Sequence, residues 1–202
     1  MTHQFDKEAA QWDQKQERVI RARDVASAIK KRCTSTGRAL EFGCGTGLLS
    51  FALRPFAHTT LLCDTSPGMI ETLEKKIQAE NATDFSALLI SEGAPELSGK
   101  TFDAIFTLMA LHHIEDIGGT LGLFRRLISS SGTLFISDLV EEDGSFHGDN
   151  FSGHHGFRQE TLNRQLQEAG FSRVTFEICH TMKQERGGKL KSFPIFLATA
   201  TC

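Results

Sequence analysis

Short apolar runs alternate along this chain with longer segments whose apolar residues recur every three or four positions. Val19, Ile20, Val25, Ala26 and Ile29 fall at helical spacing inside a charged stretch, which predicts one or two helices over residues 7–33. Strands are expected near 38–43, 59–64, 86–91, 102–108 and 132–139, and helices near 47–55, 67–80 and 117–130. Pro67 and Pro95 suit the first turns of helices. A strand–helix alternation of this kind predicts a parallel sheet covered by helices on both faces, wound by right-handed crossovers.

The pattern changes in the last third. Residues 141–157 are rich in Gly, His, Asp, Ser and Phe and have no clear period. A long loop in a compact domain is often functional. It is expected to be a substrate lid lined by Phe146, Phe151 and Phe157; the plainer reading is a loop packed by its own side chains. A helix at 158–169 should stop at Gly170. Strands are expected at 173–178 and 193–200, joined by a polar turn at Lys183–Lys189 and therefore antiparallel. The reading is one domain over 1–202, with a helical cap at 1–35.

Composition narrows the function classes. A chain of 202 residues supports one sizeable core, and 40% hydrophobic with 23% charged residues is ordinary for a soluble protein. A net charge of −3 makes no electrostatic case for nucleic acid or an anionic membrane. The polar N-terminus and the lack of a long apolar run favour a cytoplasmic location. Five scattered cysteines without a CxxC pair argue against a disulfide framework or a zinc knuckle.

The densest chemical signal is Leu40-Glu41-Phe42-Gly43-Cys44-Gly45-Thr46-Gly47, a strand end, a tight turn and the opening of a helix. The glycines let the backbone take positive φ and let a ligand lie against bare main chain. A dinucleotide fingerprint needs glycine at the sixth position of this motif, which here is Leu48. No Gly-Lys-Ser/Thr follows, so a Walker phosphate loop is excluded. Glu41, two residues before the first glycine, would repel a pyrophosphate and attract an ammonium group. Asp64 ends the next strand, where an acidic side chain accepts from both ribose hydroxyls. The plainer role for Asp64 is a helix cap before Thr65-Ser66-Pro67.

With these residues in place the chain resembles the class I S-adenosylmethionine-dependent methyltransferases, in their small-molecule branch. The resemblance extends through Cys63-Asp64-Thr65-Ser66-Pro67-Gly68-Met69, Phe102–Phe106, Leu111-His112-His113-Ile114, Ser131–Ile136 and His154-His155-Gly156-Phe157, and includes Phe5-Asp6-Lys7 and Trp12-Asp13 near the start. It implies a Rossmann-like α/β fold, doubly wound, with seven strands in the order 3-2-1-4-5-7-6 and strand 7 antiparallel. It implies S-adenosylmethionine as cofactor and a small-molecule methyl acceptor, with no nucleic acid or membrane partner. It would set Gly43, Cys44 and Gly45 against the methionyl end, Glu41 near the amino group, Asp64 on the ribose, Met69 on the adenine, and Thr107 and Leu108 beside the methionine moiety. Relatives often carry an aspartate where this chain has Gly93, so Glu92 or the N–H of Ala94 is left to meet the adenine. Trp12 either closes the pocket or anchors its helix, and Met69 is equally suited to the core.

Methyl transfer needs alignment and exclusion of water more than covalent help. Candidate bases are His112, His113, His154 and His155, each with a structural alternative. No resident metal is expected; the set that comes closest to one is His147, His154 and His155 with Asp149. The rival readings are a non-catalytic S-adenosylmethionine-binding module, kept open by Gly93 and the lack of an obvious base, and a nicotinamide oxidoreductase, opposed by Leu48 and Glu41.

Overall fold

In the computed structural model, which describes residues 2–33, 36–148 and 151–202, seven strands form one sheet. They are β1 (Thr36–Phe42), β2 (Ala57–Asp64), β3 (Phe85–Leu89), β4 (Phe102–Leu108), β5 (Ile128–Leu139), β6 (Arg173–Arg186) and β7 (Lys189–Thr201). The helices are α1 (Thr2–Glu8), α2 (Gln16–Arg32), α3 (Leu48–Leu53), α4 (Pro67–Ala79), α5 (Ile117–Leu127) and α6 (Gln159–Glu168). The strand order is β3-β2-β1-β4-β5-β7-β6; β1 to β5 run parallel, and β7 is antiparallel to both β5 and β6.

Both faces of the sheet are covered, so its strands read as continuous apolar runs while their side chains still alternate. Leu40, Ile105 and Leu134 pack against Leu121, Phe124 and Leu166 of α5 and α6. Their neighbours Ala39, Ala104, Phe106 and Phe135 pack on the opposite face against Val25, Ile29, Leu49 and Leu53 of α2 and α3. The order of connection reverses between β1 and β4. In open α/β sheets such a reversal leaves a crevice at the carboxyl ends of the strands.

Local chemistry sets the boundaries. Ser66 caps α4 by accepting from Met69 N–H, with Pro67 in the first turn. Gly170 follows α6 at φ +97°. α5 is shorter than its apolar pattern suggested, because Ile128 already belongs to β5. The serines that follow prefer extended backbone to a helix interior.

The hairpin differs more. Its turn is only Gly187-Gly188, at φ +57° and +72°. Two left-handed residues in a row match the twist of the flanking strands. Lys183–Arg186 and Lys189, read as part of a polar turn, belong to the ladder, which runs down to Arg186 opposite Lys189.

That extension reaches the 141–157 loop. Arg186 donates to the carbonyls of Ser145 (2.8 Å) and Phe146 (2.7 Å), and Lys191 donates to Asp143 (2.7 Å). The loop is also stitched to the sheet by Glu141 N–H to Phe157 O and Phe157 N–H to Leu139 O. Phe146 packs with Met182, Phe193 and Ile195, and Phe157 lies in the main core. None of the three lines the main cavity; Phe151 packs against His113 and His147, Phe146 meets His147 edge-on at 4.7 Å, and Phe157 lies 5.6 Å from His154.

The N-terminal segment folds back over the open end of the sheet. Asp6 accepts from Ser66 Oγ (2.6 Å) and Gly68 N–H (3.0 Å), and Asp13 accepts from Thr46 Oγ1 and from Lys76 (2.7 Å). These bonds fix the segment against α4 and the glycine loop.

Candidate active site

A cavity of about 1280 Å³ lies at the carboxyl ends of β1, β2 and β4, between the N-terminal segment and the sheet. The chemistry of its lining differs from part to part.

One part is the glycine loop. Gly43, Gly45 and Gly47 all have positive φ (+69°, +52° and +78°). A Cβ on Gly43 would stand 2.4 Å from Ala110 Cβ, so a side chain is blocked there by space as well as by conformation. The N–H groups of the loop are occupied by the protein itself. Gly43 and Cys44 donate to Cys63 O, Gly45 to Asp64 Oδ2 (2.7 Å), and Gly47 to Cys44 O. Glu41 takes the N–H of Ser50 (3.1 Å) and its hydroxyl, filling the opening of α3 with a carboxylate. Asp64 accepts from Ser66 N–H as well (2.9 Å), which leaves its remaining lone pairs for the cavity.

The glycine turn therefore presents the carboxylates of Glu41 and Asp64 in place of free glycine N–H groups. A phosphate has nothing to receive here; hydroxyls and an ammonium do. The expectation of ribose hydroxyls at Asp64 and an amino group near Glu41 asks for acceptors of this kind. Burial pushes the Glu41 carboxyl up to about 8, against the bonds from Ser50, and a cation beside it would favour ionisation. Burial also raises Asp64 above the usual carboxylate range.

Most residues expected at the cofactor line this cavity: Trp12, Glu41, Gly43, Cys44, Gly45, Asp64, Met69 and Leu108. Met69 is also fully buried on α4, so wall and core are here the same side chain. Trp12 carries the Arg18 guanidinium 3.4 Å over its ring and lies near Gly45. Two expected residues fall elsewhere. Thr107 is buried outside the lining. Ala94 is buried too, and its N–H donates to Ser91 O (2.9 Å), so it is not available to an adenine ring. Glu92 and Gly93 line the cavity at that point.

Away from the glycine loop the lining includes Phe5, Arg21, Met109 and His113. Phe5 meets His113 edge-on at 5.2 Å. Arg21, on α2, is half-buried, with its Nε shut off from solvent. Its Nη1 contacts Met182 Sδ (2.9 Å) and its Nε has no partner. Among the described residues it makes no ion pair, and burial lowers its guanidinium to about 10, still charged at neutral pH. An unpaired cation shut off in part from water is costly.

The histidine candidates separate. His113 lines the cavity, and burial, followed by the neighbouring histidines, lowers its ring to about 3. His112 lies behind it, 1% exposed, with Nδ1 2.6 Å from Asp138 Oδ1. Asp138 also accepts from the N–H groups of His112 and Leu139. His154 is turned to Ile114 O (3.0 Å), and His155 lies 3.5 Å from Glu142. Neither lines the cavity. The anticipated grouping of His147 with His154 and His155 is therefore not assembled, and Asp149 lies outside the described residues. His147 joins His112 and His113 instead.

Asp138, Arg21 and Met109 were missed as site residues. Asp138 had a signal: a carboxylate inside the run Leu134-Phe135-Ile136-Ser137-Asp138-Leu139 of a buried strand. Arg21 had none in its helical pattern.

A seven-stranded sheet of this order, with an acceptor-lined glycine loop at its switch point, defines a methyltransferase-type fold. The family described as a methyltransferase domain matches residues 12–175, and the chain belongs to that family. It is 28% identical over 149 residues to an uncharacterized methyltransferase of Schizosaccharomyces pombe, covering 66% of this chain and 52% of that one. It is 35% identical over 119 residues to the ubiquinone biosynthesis O-methyltransferase of Xylella fastidiosa, covering 55% and 46%. The chain thus spans about half the length of these curated relatives. Among solved structures, the Haloferax volcanii putative methyltransferase in complex with its Trm112 activator matches 98% of this chain and 96% of its own, with a TM-score of 0.74 at 14% identity. The N-terminal domain of EvdMO1 with SAH bound matches with a TM-score of 0.66 at 16% identity, covering 90% and 81%. Among the described residues no helix is long and apolar enough to cross a membrane.

Proposed function

We propose that this chain transfers the methyl group of S-adenosylmethionine to a small-molecule acceptor bearing an anionic group. The observation that carries the reading is a single cavity lined both by the carboxylates at the glycine loop and by the guanidinium of Arg21, whose Nε has no partner. Asp64 and Glu41 hold the donor, which supplies an activated methyl group on sulfonium sulfur. Trp12, Phe5 and the bonds of Asp6 and Asp13 keep water out. Arg21 takes the anion of the acceptor and so turns its nucleophile toward the methyl. The acceptor's lone pair forms the new bond to carbon, the old carbon–sulfur pair remains on sulfur, and any proton on the nucleophile leaves to solvent or base. The name of the Xylella relative makes a hydroxyl the first acceptor group to try. The half-buried guanidinium also favours an enzyme over a non-catalytic binding module, which has no use for such a charge.

Titration calorimetry with S-adenosylhomocysteine should show binding, and a folded sample that does not bind overturns the reading. Hydroxy acids should then gain a methyl group by mass spectrometry while their neutral esters do not. Preference for the esters would remove Arg21 from the acceptor site.

A further inference from the structure

His112, His113 and His147 come from two separate segments, the turn after β4 and the loop after β5. Their ring centroids lie 4.1 Å (His112–His113), 5.0 Å (His112–His147) and 5.5 Å (His113–His147) apart. One ring nitrogen from each lies within 4.8 Å of the other two. Two nitrogens in this group are buried with no hydrogen-bond partner, His112 Nε2 and His113 Nδ1.

The orientation of His112 is set from behind. Asp138 accepts the Nδ1 proton at 2.6 Å, so Nε2 carries the lone pair. A carboxylate in that place is the usual support of a metal-ligating imidazole. His147 is exposed, yet its ring is held: it stacks on Phe151 at 3.8 Å and 17°. Arg186 fixes the carbonyl one residue before it. Three imidazoles thus converge without an acid or an amide among them, and two buried lone-pair positions are left unanswered.

We propose that His112 Nε2, His113 Nδ1 and His147 bind one divalent first-row transition-metal ion of the zinc and cobalt class. Imidazole suits these ions; magnesium and calcium want oxygen donors that the cluster lacks. A set of three protein ligands leaves a position open. His113 lines the cavity, which puts the ion at the cavity wall. On a tetrahedral ion with bonds of about 2.1 Å, donor atoms stand about 3.4 Å apart. The nitrogens must therefore draw together, and His147, on its loop, supplies the movement. The site stands on these residues alone. Its use in the reaction rests on the methyl-transfer reading: an acceptor hydroxyl coordinated there releases its proton to solvent and keeps the electron pair that attacks the methyl carbon.

The test is a titration of chelator-stripped protein with Co2+, followed by its visible d–d absorption, and with Zn2+ in competition. One ion per chain is expected. His147→Ala should weaken binding at least tenfold, and Asp138→Asn should weaken it about 10–100-fold through the lost support. His155→Ala should bind as the parent does. His147 is exposed, so its alanine variant keeps its fold, which S-adenosylhomocysteine calorimetry on the same sample checks. No cobalt spectrum, or an unchanged affinity in His147→Ala, overturns the site. Metal binding with turnover unaffected by chelation keeps the site and overturns its use by the acceptor. Because metal and S-adenosylhomocysteine are titrated separately, failure of the donor reading is not confused with failure of this one.

Discussion

At the part of the cavity proposed for the donor, Glu41, Gly43, Gly45 and Asp64 come from two neighbouring strands and the turn that leads from the first of them into α3, and much of what they offer is fixed by backbone. At the part proposed for the acceptor, Phe5, Arg21, Met109 and His113 come from the N-terminal segment, α2 and the turn after β4, with Asp138 of β5 behind. The first end depends on conformation, the second on side chains brought together by tertiary packing. A substitution at the donor end should therefore damage fold and cofactor binding together. One at the acceptor end should damage turnover and leave cofactor binding intact.

The strongest way to break this contrast is Gly43→Ala. A left-handed backbone costs a non-glycine residue about 1–2 kcal/mol, and the clash with Ala110 adds overpacking of about 1–3 kcal/mol. Urea unfolding should show a loss of about 2–5 kcal/mol; an unchanged midpoint would mean that the loop is not conformationally constrained. Next comes a paired comparison. Asp64→Ala should weaken S-adenosylhomocysteine by about 1–3 kcal/mol, or roughly 5–150-fold. Arg21→Met should leave that affinity within about twofold and instead raise KM for an anionic acceptor. Equal effects of the two variants on cofactor affinity would abolish the distinction between the ends.

A subtler effect concerns Glu41. With its carboxyl at about 8, it is mostly protonated at pH 7 until a cation arrives. Binding of S-adenosylhomocysteine at pH 7 should release about one proton, seen as a buffer-dependent calorimetric enthalpy that vanishes in Glu41→Gln. The sign for the free protein follows from the same shift. The folded group holds its proton more tightly than the unfolded one, so its stabilising contribution is present below pH 4.5 and is lost as pH rises toward 8. Glu41→Gln should flatten that limb of the stability profile. The smallest effect is expected from His155→Ala, outside the cavity, which should change stability by less than about 0.5 kcal/mol and leave turnover alone. A large loss of turnover would move the acceptor toward the loop.

The same contrast explains what the sequence made legible. The glycine loop, Glu41 and Asp64 form a local strand–turn–helix pattern, and the strand–helix rhythm carries the sheet. Asp138 and His112 meet only because β4 and β5 pair in parallel, with Leu108 opposite Ser137. No local spacing records that pairing. Arg21 reads as one more charge on a helix, and its burial arises from packing against β6 through Met182. The hairpin was foreseen but its length was not, because Lys, Gln, Glu and Arg fill both faces of its tip and hide the alternation of a strand. Ala94 failed for a different reason: its N–H closes a turn with Ser91, and such a bond is invisible before the turn is known.

The long hairpin has one more consequence, for life in a crowded solution. β6 is an outer edge of the sheet, fourteen residues long, and carries the exposed Ile178. A bare edge of that length invites another chain to add a strand. Arg173, Glu177, Lys183, Glu185 and Arg186 along it, and the ladder irregularity between Ile178 and His180, make such an addition unfavourable. The charged residues that hide much of this strand in the sequence thus also disfavour edge-to-edge pairing with other copies.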